Sequence, residues 1–237
     1  MTRRRWIADE FNGNRAALIG SHADHLSGVL RARIGQEFDL STGEVVRRGR
    51  IVAIHDRRIE FELAEELPAA TVFQIAVALA IFKFDRMEWA IEKCTELGVT
   101  RIIPFIARRT GAHLAAAAQK RVERWQRIAC QASEQSRRAT PPEIAEPVKL
   151  KEAVALNAAT RILLAEAEDR VLLKDVLGPA PADGEIILAI GPEGGWTESE
   201  LELFTNAGWI TASLGGNILR AETAMIAATA IVVSELQ

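Results

Sequence analysis

The sequence is poor in the residues that build disulfide frameworks and metal fingers. Only two cysteines, Cys94 and Cys130, occur in 237 residues. They lie far apart, in segments with helical spacing, and neither belongs to a C-x-x-C. A disulfide scaffold and a zinc-finger spacing are therefore excluded, and two buried thiols in a reducing cytosol are expected. The four histidines, His22, His25, His55 and His113, have no sequence-adjacent cysteine or paired carboxylates, so no metal is expected. Long apolar runs are missing too. The longest, near Ile75–Phe82 and Met225–Val233, fall far short of the ~20 residues of a membrane span. The basic start MTRRRWIADE is not followed by an apolar stretch, so no signal peptide, no membrane partner and a cytoplasmic location are expected. Lysine is scarce: 23 of the 29 basic residues are arginine, whose planar fork suits phosphate.

What is present is apolar residues, at 49%, enough for a substantial core. The net charge of -3 is unevenly spread. Residues 1–58 carry +4, 59–100 carry -5, 101–138 carry +7 and 139–237 carry -9. Two basic blocks set against an acidic C-terminal region fit a polyanionic partner, and equally an arginine-rich solvated surface.

The first 70 residues read as a small β-rich unit. A short helix is expected over His22–Arg31, and strands over Glu37–Leu40, Arg50–Ile54 and Arg58–Ala64, the last alternating apolar and charged residues. AEELPAA, with Pro68, marks a junction between residues 1–70 and 71–237. Beyond it, strands alternate with helices. Strands are expected at Ile75–Ile81, Arg101–Ala107, Arg161–Ala165, Glu185–Ile190 and Ile210–Leu214. Helices are expected at Phe84–Leu97, 117–138, Leu172–Leu177, from Thr197 to about Ala207, and from about Ile218 to Leu236. That order predicts an α/β domain with a mostly parallel sheet covered on both faces.

Two glycine-containing turns follow strands and precede helices, where such sheets bind ligands. The first is IGPEGGWTESE, Ile190–Glu200. It has no lysine for a P-loop and no G-x-G-x-x-G. Pro192 lacks an N–H and Glu193 places an anion where a phosphate would sit, so the loop suits a neutral or cationic ligand. Thr197 and Glu200 form a capping box for the next helix. The second turn is SLGGNILRAETAMIA, Ser213–Ala227, with Arg220 and Glu222 at the start of an apolar helix. Taken alone, Glu222 there complements the helix dipole and pairs with Arg220.

Together these motifs resemble the RsmE family of ribosomal RNA methyltransferases, in the SPOUT superfamily. IGPEGGWTESE and LGGNILRAETA are similar to two of its signatures. KFDRMEWAIEKCTELGVTRIIPF (Lys83–Phe105), ACQASEQSRRATPPEI (Ala129–Ile144) and HADHLSGVLRARIGQEFDL (His22–Leu40) resemble three more, in the same order. The resemblance implies a C-terminal SPOUT domain with a trefoil-knotted parallel sheet and a small N-terminal PUA-like, RNA-binding β-barrel. It implies S-adenosyl-L-methionine as cofactor, held by three loops: Leu164, Ala165 and Glu166; Ile190, Gly191, Gly194 and Gly195; and Leu214, Gly215, Ile218, Leu219, Arg220 and Thr223. It implies a homodimer that methylates N3 of one specific uridine of 16S ribosomal RNA, within the small ribosomal subunit. The family usually has arginine where this chain has Asn217.

Uridine N3 becomes a nucleophile only when its proton leaves. Glu222 and Glu193 are the candidate bases, and Arg220 the candidate cation for the developing charge. RNA contacts are expected from Arg3, Arg4, Arg5, Arg31, Arg109 and Arg138. The alternatives are ribose 2′-O methylation by a SPOUT enzyme and a catalytically silent RNA-binding adaptor.

Overall fold

The computed structural model describes residues 5–43, 45–68, 73–168, 170–177 and 184–236. The chain divides into two compact units, one of Met1–Thr71 with Cys130–Pro141, the other of Val72–Ala129 with Pro142–Gln237. The junction at residues 70 and 71 lies outside the described residues, as do Arg3 and Arg4.

The first unit contains β1 (Arg5–Ile7), β2 (Glu10–Asn12), β3 (Arg15–Ile19), the single-turn helix α1 (Ser21–Asp24), β4 (Glu37–Ser41), β5 (Val46–His55) and β6 (Arg58–Leu67). They form a six-stranded sheet in the order β1-β4-β5-β6-β3-β2. All its pairings are antiparallel except β1 with β4. Inward residues of alternate strand positions make the core: Trp6, Leu18, Leu40, Ile51, Ile59 and Phe61. Gly49 sits in β5 because nothing larger fits: a Cβ there would lie 2.0 Å from Leu40 Cδ1. The helix expected over His22–Arg31 splits after α1 into a π turn, His25–Val29. Ser27 Oγ donates to the Ala23 carbonyl at 2.7 Å, a back-bond that competes with regular helix geometry.

The second unit follows the expected alternation. Its elements are β7 (Ile75–Ala80), α2 (Phe84–Glu96), β8 (Arg101–Ile106), α3 (Ala112–Ala118), α4 (Val122–Ser136, whose residues from Cys130 onward belong to the first unit), β9 (Glu143–Ile144), β10 (Val148–Lys149), α5 (Leu150–Val154), β11 (Thr160–Leu164), α6 (Leu173–Val176), β12 (Ile186–Ile190), α7 (Glu198–Asn206), β13 (Ile210–Ala212) and α8 (Ala221–Leu236). The strands form one seven-stranded sheet, order β10-β8-β7-β12-β11-β13, with β9 also on β8. Every pairing in it is parallel.

β7 shows why the sheet is covered twice. Its whole length is buried. Ile75, Val77 and Leu79 pack in one layer with Met87, Trp125 and Met225 of α2, α4 and α8. Ala76, Ala78 and Ala80 face the other layer, with Phe204 and Trp209. The period of two thus sorts large residues to one face and small ones to the other, where aromatic rings fill the space.

Gly98, at φ 102°, stops α2 as its position after Leu97 predicts. The single helix expected over 117–138 is instead α3, a 3-10 turn at Gln119–Arg121 and α4. Helix begins earlier than the apolar stripe because the alanine-rich stretch from Ala112 forms helix without one. Val122, Trp125, Ala129 and Ala132 point inward as the spacing requires. The last helix starts at Ala221, not near Ile218.

The two thiols differ. Cys94 is buried; desolvation pushes it up to about 12, while a hydrogen bond with Thr229 acts the other way. Cys130, expected to be buried, is partly exposed. Burial first, then Glu134 and Asp9, push it up to about 11.

Candidate active site

Three neighbouring parallel strands, β12, β11 and β13, end on the same side of the sheet. The loops leaving them enclose a cavity of about 340 Å³. Its walls are Leu164, Ala165 and Glu166 after β11; Ile190 and the run Gly191–Trp196 after β12; and Ala212, Ser213, Leu214, Gly215, Asn217, Ile218 and Leu219 after β13. Ala221 and Ala224 of α8 complete it.

The β12 loop is built from the back. Trp196 stacks on Phe105 (centroids 6.0 Å apart, 13° between planes) and meets Phe204 edge-on at 5.2 Å. Each such pair contributes about 0.5–1.5 kcal/mol beyond its buried area. The Trp196 indole N–H donates to the Leu164 carbonyl at 2.7 Å, tying the β12 loop to the end of β11. Gly191 is needed because a Cβ would approach the Trp196 ring to 2.9 Å. Gly195 is needed for its backbone, whose φ is 71°. The Arg109 guanidinium donates to the Gly194 carbonyl at 2.6 Å.

Thr197 and Glu200 form the expected capping box at the start of α7. Glu200, fully buried, does more than cap. One oxygen accepts from Thr197 N and Oγ1, at 2.9 and 2.8 Å, and the other accepts from Arg108 N at 2.8 Å. That bond fixes the β8 loop carrying Arg109.

Glu193 finds its partner in Arg86, in the first turn of α2. One guanidinium nitrogen lies 3.1 Å from Glu193 Oε1 and 3.5 Å from Glu222 Oε1. Glu222 therefore pairs with Arg86, where the sequence pointed to Arg220. Glu222 is buried and Glu193 half-exposed on the cavity wall. No spacing rule links Arg86 to Glu193, 107 residues away.

The structure thus gathers eleven of the expected cofactor residues, and Glu193, around one cavity. Arg220 and Thr223 are exposed and do not line it, and Glu222 lies behind its wall. Pro192, Trp196, Ala212, Ser213, Asn217, Ala221 and Ala224 line it and were missed. Trp196 could have been found: it directly follows Gly195 and precedes the cap.

Among the expected RNA contacts, Arg31 and Arg109 are exposed. Arg5 and Arg138 are not free surface cations. The Arg5 guanidinium donates to the Arg137 carbonyl, and burial lowers its pKa. Arg138 is lowered to about 10 by burial.

The cavity carries an apolar wall, exposed backbone and two carboxylates, Glu166 and Glu193. No lysine lines it. No helix among the described residues is long and apolar enough to cross a membrane.

Comparison with known proteins agrees with this chemistry. Residues 69–233 match the family model described as an RNA methyltransferase domain. The chain is 32% identical to the ribosomal RNA small subunit methyltransferase E of Rickettsia conorii, over 88% of this chain and 85% of that one. It is 38% identical to the protein of the same name from Synechocystis over 66% of its own length, a stretch spanning 52% of that relative. The crystal structure of the Neisseria gonorrhoeae ribosomal RNA small subunit methyltransferase E, bound to S-adenosyl methionine, superposes with a TM-score of 0.87 at 30% identity, covering 99% of this chain and 98% of that one. A cavity at the ends of three parallel strands, a family match over most of the chain and near-complete relatives agree: the chain belongs to the ribosomal RNA small subunit methyltransferase E family.

Proposed function

We propose that the chain transfers a methyl group from S-adenosyl-L-methionine to N3 of one uridine of 16S ribosomal RNA. The observation that carries this reading is the cavity after β11, β12 and β13. Its residues fit the cofactor. The glycines Gly191, Gly194 and Gly195 line the cavity without side chains, so a ligand can approach the main chain closely there. Leu164, Leu214, Ile218 and Leu219 offer apolar surface for an adenine. Glu166 and Glu193 favour a cation over a phosphate. When bound, the cofactor supplies an electrophilic methyl group on a sulfonium.

The chain's own residues then have three tasks. Glu193 lines the cavity and is half-exposed, so it accepts the N3 proton. Arg86 holds Glu193 and Glu222 together, and buried Glu222 acts as a positioning residue for Arg86. Arg220, exposed beside Leu219, faces the charge that develops on the uracil oxygens. The base must be unstacked to expose N3, and the exposed Arg31 and Arg109, with the basic start at Arg3 and Arg4, supply backbone contacts.

The reading extends to the whole assembly. The first unit is a PUA-like RNA-binding barrel, the second a knotted SPOUT domain, and the enzyme a cytoplasmic homodimer acting on the small ribosomal subunit.

Mass-spectrometric mapping of small-subunit RNA, treated with the purified chain and cofactor, tests the reading. One new N3-methyluridine is expected. A ribose 2′-O-methyl product would shift the assignment to that class. No calorimetric heat with S-adenosyl-L-methionine would leave an RNA-binding adaptor. For the base, Glu193→Gln is expected to slow single-turnover methylation at least tenfold, and an unchanged rate rejects its role.

A further inference from the structure

The first unit gathers four groups that its sequence scatters. Cys130 and Glu134 stand one turn apart on α4, so their side chains share a face. His22, on α1, points its Nε2 at the Glu134 carboxylate, 3.6 Å from Oε1. The Cys130 sulfur, a His22 ring nitrogen and a Glu134 oxygen lie within 4.8 Å of one another. On the other side of the ring, His22 Nδ1 meets both Asp9 oxygens, at 3.1 and 3.0 Å. Asp9 is itself fixed by the Ile19 N–H at 2.7 Å. The Trp6 ring stands edge-on to the imidazole at 6.0 Å.

We propose that His22, Cys130 and Glu134 are the protein ligands of a divalent metal site selective for Zn²⁺, with Asp9 as the carboxylate that orients His22. The donor set is one thiolate, one imidazole and one carboxylate, which matches Zn²⁺ and disfavours Mg²⁺ or Ca²⁺. A tetrahedral zinc site places its donors about 3.3–3.8 Å apart, given bonds of roughly 2.0–2.3 Å. The His22–Glu134 separation of 3.6 Å already meets that distance. Asp9 on Nδ1 makes Nε2 the metal-facing nitrogen, the carboxylate–histidine–metal arrangement that second shells favour. The cluster is not sealed. His22 and Cys130 are partly exposed while Glu134 is buried, so an ion can reach the cluster from solvent. Once the thiol proton has left to solvent, the ligands carry two negative charges, which a dication neutralises.

The site joins segments near residues 9, 22 and 130–134, so its cargo staples the two stretches of the first unit. It is independent of the methyl-transfer reading and stands or falls without it.

Tag-free, full-length chain stripped with chelator is titrated with Co²⁺ and then Zn²⁺. One equivalent of Co²⁺ is expected to give intense four-coordinate visible bands and a near-ultraviolet thiolate-to-cobalt band. One equivalent of Zn²⁺ bleaches both and raises the melting temperature. Cys130→Ser, at a partly exposed position, loses the near-ultraviolet band, and His22→Asn loses it too. Asp9→Asn keeps the band but weakens Zn²⁺ binding about 10–100-fold. Absence of the bands in the unmodified chain, as an ion pair between His22 and the carboxylates would give, overturns the proposal. So does a near-ultraviolet band that survives in Cys130→Ser.

Discussion

Two loops face each other across the cavity, and they are made differently. The loop after β12, Gly191–Trp196, is pinned by five residues from elsewhere in the chain: the side chains of Arg86, Arg109, Phe105 and Phe204 and the backbone carbonyl of Leu164. Its glycines are constrained: a Cβ at Gly191 would press on the Trp196 ring, and Gly195 holds a left-handed backbone at φ 71°. The loop after β13, from Leu214 to Arg220, is loose by the same measures. A Cβ at Gly215 or Gly216 would meet nothing within 4 Å, and Ile218 is 82% exposed. The contrast separates two uses of glycine: one wall is shaped before a ligand arrives, while the other keeps apolar surface in water until one does.

The comparison can be broken at its anchors. Arg86→Ala removes the cation shared by Glu193 and Glu222 and leaves buried Glu222 unpaired. A loss of about 3 kcal/mol is expected, read from urea unfolding. Trp196→Phe keeps the ring stack but strips the Leu164 carbonyl of its donor, for roughly 2 kcal/mol. Equal stability of this variant would mean the tie is ornamental. Gly195→Ala should cost about 1–2 kcal/mol for its left-handed backbone alone, while Gly216→Ala should stay within about 0.5 kcal/mol. If both glycine variants melt alike, the two walls are not different in kind.

The comparison is sharpened by the smallest stability effect. Ile218→Ser should leave folding within about 0.5 kcal/mol, because the side chain is already in water. It should nonetheless weaken S-adenosyl-L-methionine binding roughly tenfold or more, since burying an isoleucine is worth about 1.5–3 kcal/mol. Calorimetry and melting on the same preparation separate the two readouts.

Local chemistry was legible in the sequence, and long-range pairing was not. The S/T-x-x-E spacing announced the cap at Thr197 and Glu200, and Gly98 announced the end of α2, because both act within one turn of helix. The strand–helix alternation announced a parallel sheet. The Glu200 bond to Arg108, the clamp of Arg86 on Glu193 and the meeting of His22 with Cys130 join distant segments, and no period encodes them. The π turn after α1 and the 3-10 turn before α4 were likewise hidden, because apolar spacing changes little when one residue is gained or lost. The exposed Ile218 looked helical for the opposite reason: its apolar character serves the cavity, not the core of α8.

The discontinuity of the first unit has a consequence in time. Its sheet is made from the first 67 residues, yet Cys130–Pro141 belong to the same unit, where the Arg137 and Ala139 carbonyls accept from Arg5 and Ser41. During synthesis these partners emerge only after the intervening 58 residues, Val72–Ala129, which belong to the other unit. At about 5–20 residues per second, that interval alone lasts roughly 3–12 s. The nascent sheet must wait through it with Arg5 and Ser41 lacking their Arg137 and Ala139 acceptors and His22 lacking Glu134, so the first part of the chain to be made is not the first to be finished.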